Sequence, residues 1–240
     1  INRLETINKI IKDEPVVVIT NLMGYLRFLP TKKTYKDFIL NIKVGMTIRP
    51  SDLVDKLISA GYCRDTTVNK TGEIGVRGYV IDIFPVDEEY PVRIEFFDDE
   101  IESIRYFEPE SQKSIKSISN VIIKPYFEFL VDKEVELSHF GKQKYLPFYG
   151  DIASISDYLD ECYTIFKDYE QLEISFNHIL EEVVTYKESK DTDFTGNYMF
   201  NLGDVRVDFP IYYLSINNIS NSSYIDSIVN FDVKTINNFS

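Results

Sequence analysis

The chain has 240 residues, with 44% hydrophobic and 14% aromatic side chains, enough for a buried core and too many for a disordered polypeptide. Its net charge of -13 is unevenly spread: residues 1–125 hold 18 Lys/Arg against 19 Asp/Glu, and residues 126–240 hold 8 against 20. A surface that grips phosphates needs clustered cations, so DNA or RNA binding is not expected of the second half and is unsupported in the first.

Residues 1–13 space Ile1, Leu4, Ile7, Ile10 and Ile11 along one face of a helix, which Pro15 ends. Val16-Val17-Val18-Ile19-Thr20 reads as a short buried strand. Asn21 is placed to cap a helix through Leu22, Leu26 and Leu29, closed by Pro30. That helix–strand–helix order is part of an α/β layer.

From about Lys32 the texture changes. Phe38, Leu40 and Ile42 alternate as a strand, and Pro50-Ser51 opens a helix that Gly61 closes. Four strands are predicted near 62–69, 73–84, 91–97 and 101–107, with turns at 69–72 and 98–100. Val121-Ile122-Ile123 adds another apolar run before Pro125. This block is expected to be a small α+β domain with a twisted antiparallel sheet.

After Pro125, residues 151–159 predict a helix and 162–166 a strand. Asp168 and Gln171 form a possible capping box for a helix to about Lys187, with Leu172, Ile179, Leu180, Val183 and Val184 inward. A polar loop spans 188–197, and a last strand runs from Phe209 to Ile216. The expected fold class is α/β. Residues 1–31 and 126–240 form a discontinuous α/β domain, interrupted by an inserted α+β domain at 32–125.

In strand 73–84, alternation sends Ile74, Val76, Val80 and Phe84 to the core, and Glu73, Arg77, Tyr79 and Ile81 to the other face. That second face mixes charge with apolar and aromatic groups, the make-up of an interface patch. Blind to any relative, an ordinary surface pair between Glu73 and Arg77 is the more economical reading.

One stretch is more specific than any of this. It runs through Gly61-Tyr62-Cys63-Arg64, Val68, Gly72-Glu73, Val76-Arg77-Gly78 and Ile81-Asp82-Ile83-Phe84-Pro85, then from Pro91 to Arg105 as PVRIEFFDDEIESIR, and ends on Phe107 and Gln112. In order and spacing it resembles the domain that UvrB shares with bacterial transcription-repair coupling factors (Mfd). The segments 144–149 and 153–159 are similar to the region that lies after this domain in the coupling factors. The resemblance implies a degenerate, incomplete helicase-type α/β domain carrying an insert whose sheet face meets the repair protein UvrA. Carried over, Arg77 is the first contact expected, with Arg64 and Glu73 beside it and Tyr79 and Ile81 as apolar contacts. It also implies an intramolecular contact with the C-terminal part of a longer parent, and access to RNA polymerase and DNA only through regions outside this chain.

The residues for catalysis are not evident. No phosphate-cradling glycine loop occurs, and Asp98-Asp99-Glu100 reads as turn chemistry. His139 and His178 stand in unrelated contexts, so no metal, cofactor or catalytic triad is predicted. No apolar run approaches the roughly 20 residues of a membrane span. Cys63 and Cys162 predict two reduced thiols in the cytoplasm. A start at Ile1 and an Asn-rich end predict a piece of a longer protein. The function expected is a non-catalytic docking module that recruits UvrA in nucleotide excision repair. Part of a UvrB-type helicase motor, or a purely structural domain, are the alternatives.

Overall fold

The structure is a computed structural model describing residues 2–207, 210–215 and 226–229; it is mixed α/β. Helix α1 (Asn2–Ile11) buries Leu4, Ile7 and Ile10, as their spacing predicts. Asn21 caps α2 (Leu22–Tyr25), its side-chain oxygen accepting the Gly24 N–H at 2.9 Å. This helix is shorter than predicted because β1 (Leu29–Pro30) is drawn into antiparallel pairing with Ile152–Ala153.

The predicted strand at 16–20 does not form. Val17 and Ile19 are 90% and 93% exposed, and no strand among the described residues pairs with the run. β-branching favours a strand only where a neighbour supplies the ladder and the packing.

Helix α3 (Lys32–Asp37) leads into β2 (Leu40–Lys43), and Pro50 opens α4 (Pro50–Ser59) at its first turn. Phe38 is not in the predicted strand but ends α3. A six-stranded sheet comes next: β3 (Cys63–Arg64), β4 (Glu73–Arg77), β5 (Val80–Ile83), β6 (Val92–Phe97), β7 (Glu100–Phe107) and β8 (Ser114–Ile118), in sequence order. Then β9 (Asn120–Ile123) pairs with β2. One sheet face packs on α4, with Ile74, Ile81, Ile83, Val92, Ile94, Ile101 and Ile104 against Leu53, Val54 and Leu57.

Three expectations for the sheet need correction. The strand read as continuous over 73–84 is a hairpin, turning at Gly78 (φ +59°) and Tyr79. The 69–72 connection is no hairpin turn, since β3 runs parallel to β4, and the sheet is therefore mixed rather than antiparallel. β8 is an extra edge strand whose mostly exposed side chains leave no apolar alternation to read.

Beyond Pro125 the chain returns to the N-terminal elements. Glu128 is buried and accepts from Arg3 at 2.7 Å and from Arg27 at 2.5 Å, tying α1 and the segment after α2 to residue 128. Helix α5 (Leu146–Tyr149) and β10 (Ile152–Ala153) come next. The predicted helix at 151–159 is instead β10 and a single 3-10 turn at Ser156–Tyr158. Tyr158 is buried among Leu4, Tyr35 and Ala153, its hydroxyl donating to the Pro30 carbonyl at 2.7 Å.

β11 (Thr164–Lys167) and β12 (Ile211–Leu214) form a two-stranded parallel sheet linked through α6 (Tyr169–Lys190). The predicted capping box is absent: Asp168 sits at φ +50° and its side chain makes no cap. Leu172, Ile179 and Val183 pack inward, whereas Leu180 and Val184, predicted inward, are exposed. Both ends of the predicted strand 209–216 lie outside the described residues.

Candidate docking face

Pairing register decides which side chains share the face of the sheet turned away from α4. Gly75, Asp82, Arg93 and Arg105 lie in one row across β4 to β7, and Arg77, Val80, Glu95 and Ser103 in the next. Since side chains alternate, these rows stand opposite the apolar rows of Ile74 and Val76.

The first row is closed over. Asp82 is buried and accepts two hydrogen bonds from Arg93, at 2.7 and 2.8 Å. Arg93 also donates to Gln112 at 2.8 Å and lies 4.4 Å over the Phe107 ring. This carboxylate raises the Arg93 pKa further, so the guanidinium is a permanent cation. The 65–72 loop folds across β4, with Val68 fully buried; a Cβ on Gly75 would stand 3.2 Å from a Val68 methyl, and glycine is the residue that fits under it.

The second row stays open. Arg77 is 53% exposed, and among the described residues its ion-pair contact is Asp82 at 3.6 Å, beyond direct hydrogen-bond range. Arg93 already takes both Asp82 oxygens, so the Arg77 guanidinium is oriented yet available. Across the row Glu95 accepts from Ser103 and from both terminal nitrogens of Arg105. Arg105 holds the Glu95 carboxyl below its ordinary range, so it stays ionised and matched.

The sequence-predicted residues scatter against this geometry. Arg77 lies on the open face as expected. Tyr79 is 61% exposed but sits in the hairpin turn, where strand alternation no longer assigns a face. Ile81 is a correction: it is fully buried in the core, because the turn at 78–79 restarts the alternation. Arg64 is exposed but pairs with Ile74, so the register directs it away from the Arg77 face, and Cys63 stands in line with Glu73. Glu73 does not pair with Arg77; its carboxylate accepts the Asn69 and Lys70 N–H groups at 2.8 and 2.9 Å and shapes the loop. Sequence reasoning missed Phe97, which shares the open face with Glu95 and is 75% exposed. The doubled Phe96-Phe97 was a usable signal, since one of two adjacent strand residues must face outward.

Among the described residues no His/Cys/Asp/Glu group is arranged to hold a metal ion, and no helix is long and apolar enough to cross a membrane. His178 is exposed on α6, beside Glu181.

Residues 40–129 match the family model of the UvrB interaction domain. The chain is 37% identical over 132 residues to a transcription-repair-coupling factor of Bacillus subtilis, covering 55% of this chain and 11% of that protein. It is 32% identical over 203 residues to the Staphylococcus epidermidis protein of the same name, covering 83% of this chain and 17% of that one. Against a Staphylococcus aureus coupling factor it is 32% identical over 190 residues, covering 77% and 16%. The chain thus spans between 11% and 17% of the length of these relatives. Both comparisons bear out the resemblance carried by the 61–105 motif.

Proposed function

We propose that this chain, which carries the UvrB interaction domain match over the six-stranded sheet, is a non-catalytic docking module that recruits UvrA in nucleotide excision repair. The observation that carries the reading is Arg77: an exposed guanidinium on an open sheet face, aimed by a buried Asp82 whose oxygens are already satisfied. Such a group can take a partner carboxylate through a bidentate, charge-assisted contact. Tyr79 stands at the rim of the same hairpin. Glu73 supports the face through its loop, and Arg64 reaches only a partner that wraps the sheet edge.

The domain division fits this role. The apolar cluster around the sheet draws on residues 42–123, while a separate cluster joins α1, Leu29 and Tyr35 to Leu130, Ala153 and Tyr158. The proposed division is an inserted docking domain at 32–125 on a discontinuous α/β domain of 1–31 and 126–240, with α3 packing across the boundary through Tyr35. The same logic assigns the longer protein's motor, polymerase and DNA contacts to regions outside this chain, and a masking contact to its C-terminal part.

The test is calorimetric titration of this chain with purified UvrA. Arg77→Ala should weaken binding by about 1–3 kcal/mol without altering the fold. Lys187→Ala, in the last turn of α6, should change nothing. Equal affinity of wild type and Arg77→Ala would refute the assignment of the face.

A further inference from the structure

We infer that Asp87 is a positioning residue of the docking domain, holding the six-stranded sheet at a set orientation on α1 through Asn8 and on the segment after β9 through Lys124. This rests on the domain division proposed above.

Asn8 is buried in α1, the helix that gives Leu4, Ile7 and Ile10 to the core, and a buried amide needs partners. Its Nδ2 donates to Asp87 Oδ1 at 3.2 Å, and its Oδ1 accepts from the Tyr35 hydroxyl at 2.9 Å. A carboxylate only accepts, so the amide nitrogen must face Asp87, which leaves the amide oxygen for Tyr35. Burial, and after it the Asp87 and Glu128 charges, push the Tyr35 phenol above its ordinary range, so it stays a donor.

Asp87 stands in the β5–β6 connection, between Pro85 and Pro91. The adjacent Glu88 accepts from the Tyr106 hydroxyl of β7 at 2.7 Å, which fixes this connection to the sheet. The second Asp87 oxygen accepts from Lys124 Nζ, and the Lys124 carbonyl accepts from the Tyr62 hydroxyl at 2.8 Å. One carboxylate therefore ties together the sheet, α1 and the segment that leaves β9. The two apolar clusters also meet at Phe38, which packs against both. Apolar contact is non-directional and tolerates rotation. Hydrogen bonds to an ionised group are roughly twice as strong as neutral ones and hold an angle.

Spin labels on exposed Cys63 of β3 and at His178→Cys on α6, with Cys162→Ser, report the distance from the sheet to the other domain by double electron–electron resonance. The chain with an intact Asn8–Asp87 pair should give one narrow distance. Asp87→Ala should lose it, as should Asn8→Asp, which sets two carboxylates face to face. The double variant Asn8→Asp/Asp87→Asn exchanges the two groups: the amide then donates toward α1 and still accepts from Lys124, and the narrow distance should return. Amide exchange of β5 and β6 should be unchanged throughout. A narrow distance in Asp87→Ala, or no recovery in the double variant, would overturn the inference. So would faster exchange of β5 and β6 in Asp87→Ala, since Asp87 would then hold the sheet itself and not its orientation. Amide exchange in rising denaturant tests the division separately. Should α1 and β5 open together, the division falls and the inference with it. Should they open apart while Asp87→Ala keeps the narrow distance, the inference alone falls.

Discussion

The six-stranded sheet and the β11/β12 pair are two solutions to one problem, and only the first is complete among the described residues. The large sheet packs one face on α4 and covers most of the other with paired charge, leaving the Arg77 guanidinium open. In the small sheet, one face meets α6 and α2 through Phe166 and its ring contacts with Tyr25 and Tyr213. Its other face leaves Tyr163, Ile165, Tyr212 and Leu214 at more than half their full exposure. Parallel strands are ordinarily buried on both sides. The lesson is that an open sheet face is not of one kind. Largely charge-matched, with one guanidinium left over, such a face is ready for a partner; apolar and uncovered among the described residues, it is half of a core.

Amide hydrogen exchange should separate the two regions most strongly. Amides of β5 and β6 are expected to exchange about a thousandfold or more slower than those of β11 and β12, the gap between global unfolding and local opening. Equal protection would break the comparison. Next in size, Leu57→Ala, fully buried under the sheet, should destabilise by about 2–5 kcal/mol in denaturant unfolding, and Val183→Ala on α6 by less than half as much. Asp82→Ala should cost about 2–3 kcal/mol, because it leaves a mostly buried Arg93 with Gln112 as its remaining side-chain acceptor.

A smaller effect is expected at Glu95. Arg105 lowers its folded-state pKa, so its contribution is present above the ordinary carboxylate range and is lost as pH falls through the lowered value. Glu95→Gln should then destabilise by up to about 1 kcal/mol at neutral pH, with the gap to wild type closing in acid. Chemical denaturation at several pH values measures this; a gap that widens in acid would contradict it. The smallest change is expected at Ile165→Ser, on the bare face, within about 0.5 kcal/mol of wild type. A loss as large as that of Leu57→Ala would mean that this face is covered after all.

Local chemistry was legible in the sequence wherever a few neighbouring residues decide the outcome. Asn21 caps its helix, Pro50 opens α4, Gly61 ends it at φ +94°, and Asp98 makes its turn, each through its own backbone or side-chain geometry. The ordered motif from Gly61 to Arg105 likewise carried the family resemblance by itself. Other features depend on residues distant in the chain. Val16 to Thr20 has the composition of a strand, but composition supplies no neighbour to pair with. Ile81 changed faces because the Gly78–Tyr79 turn restarts a two-residue period, and a one-residue slip moves every later side chain across the sheet. Arg77 was readable as an outward arginine. That it is available to a partner was decided by Arg93, sixteen positions on, which β5–β6 pairing brings onto both Asp82 oxygens. Sequence alone determined the Asn21 cap, the Pro50 start, the Gly61 stop and the turn at Asp98, since these are local, while the Asp168 cap and the turns at 69–72 and 78–79 escaped it; which polar groups are left to meet another protein is settled only by tertiary pairing, because satisfaction is a property of contacts.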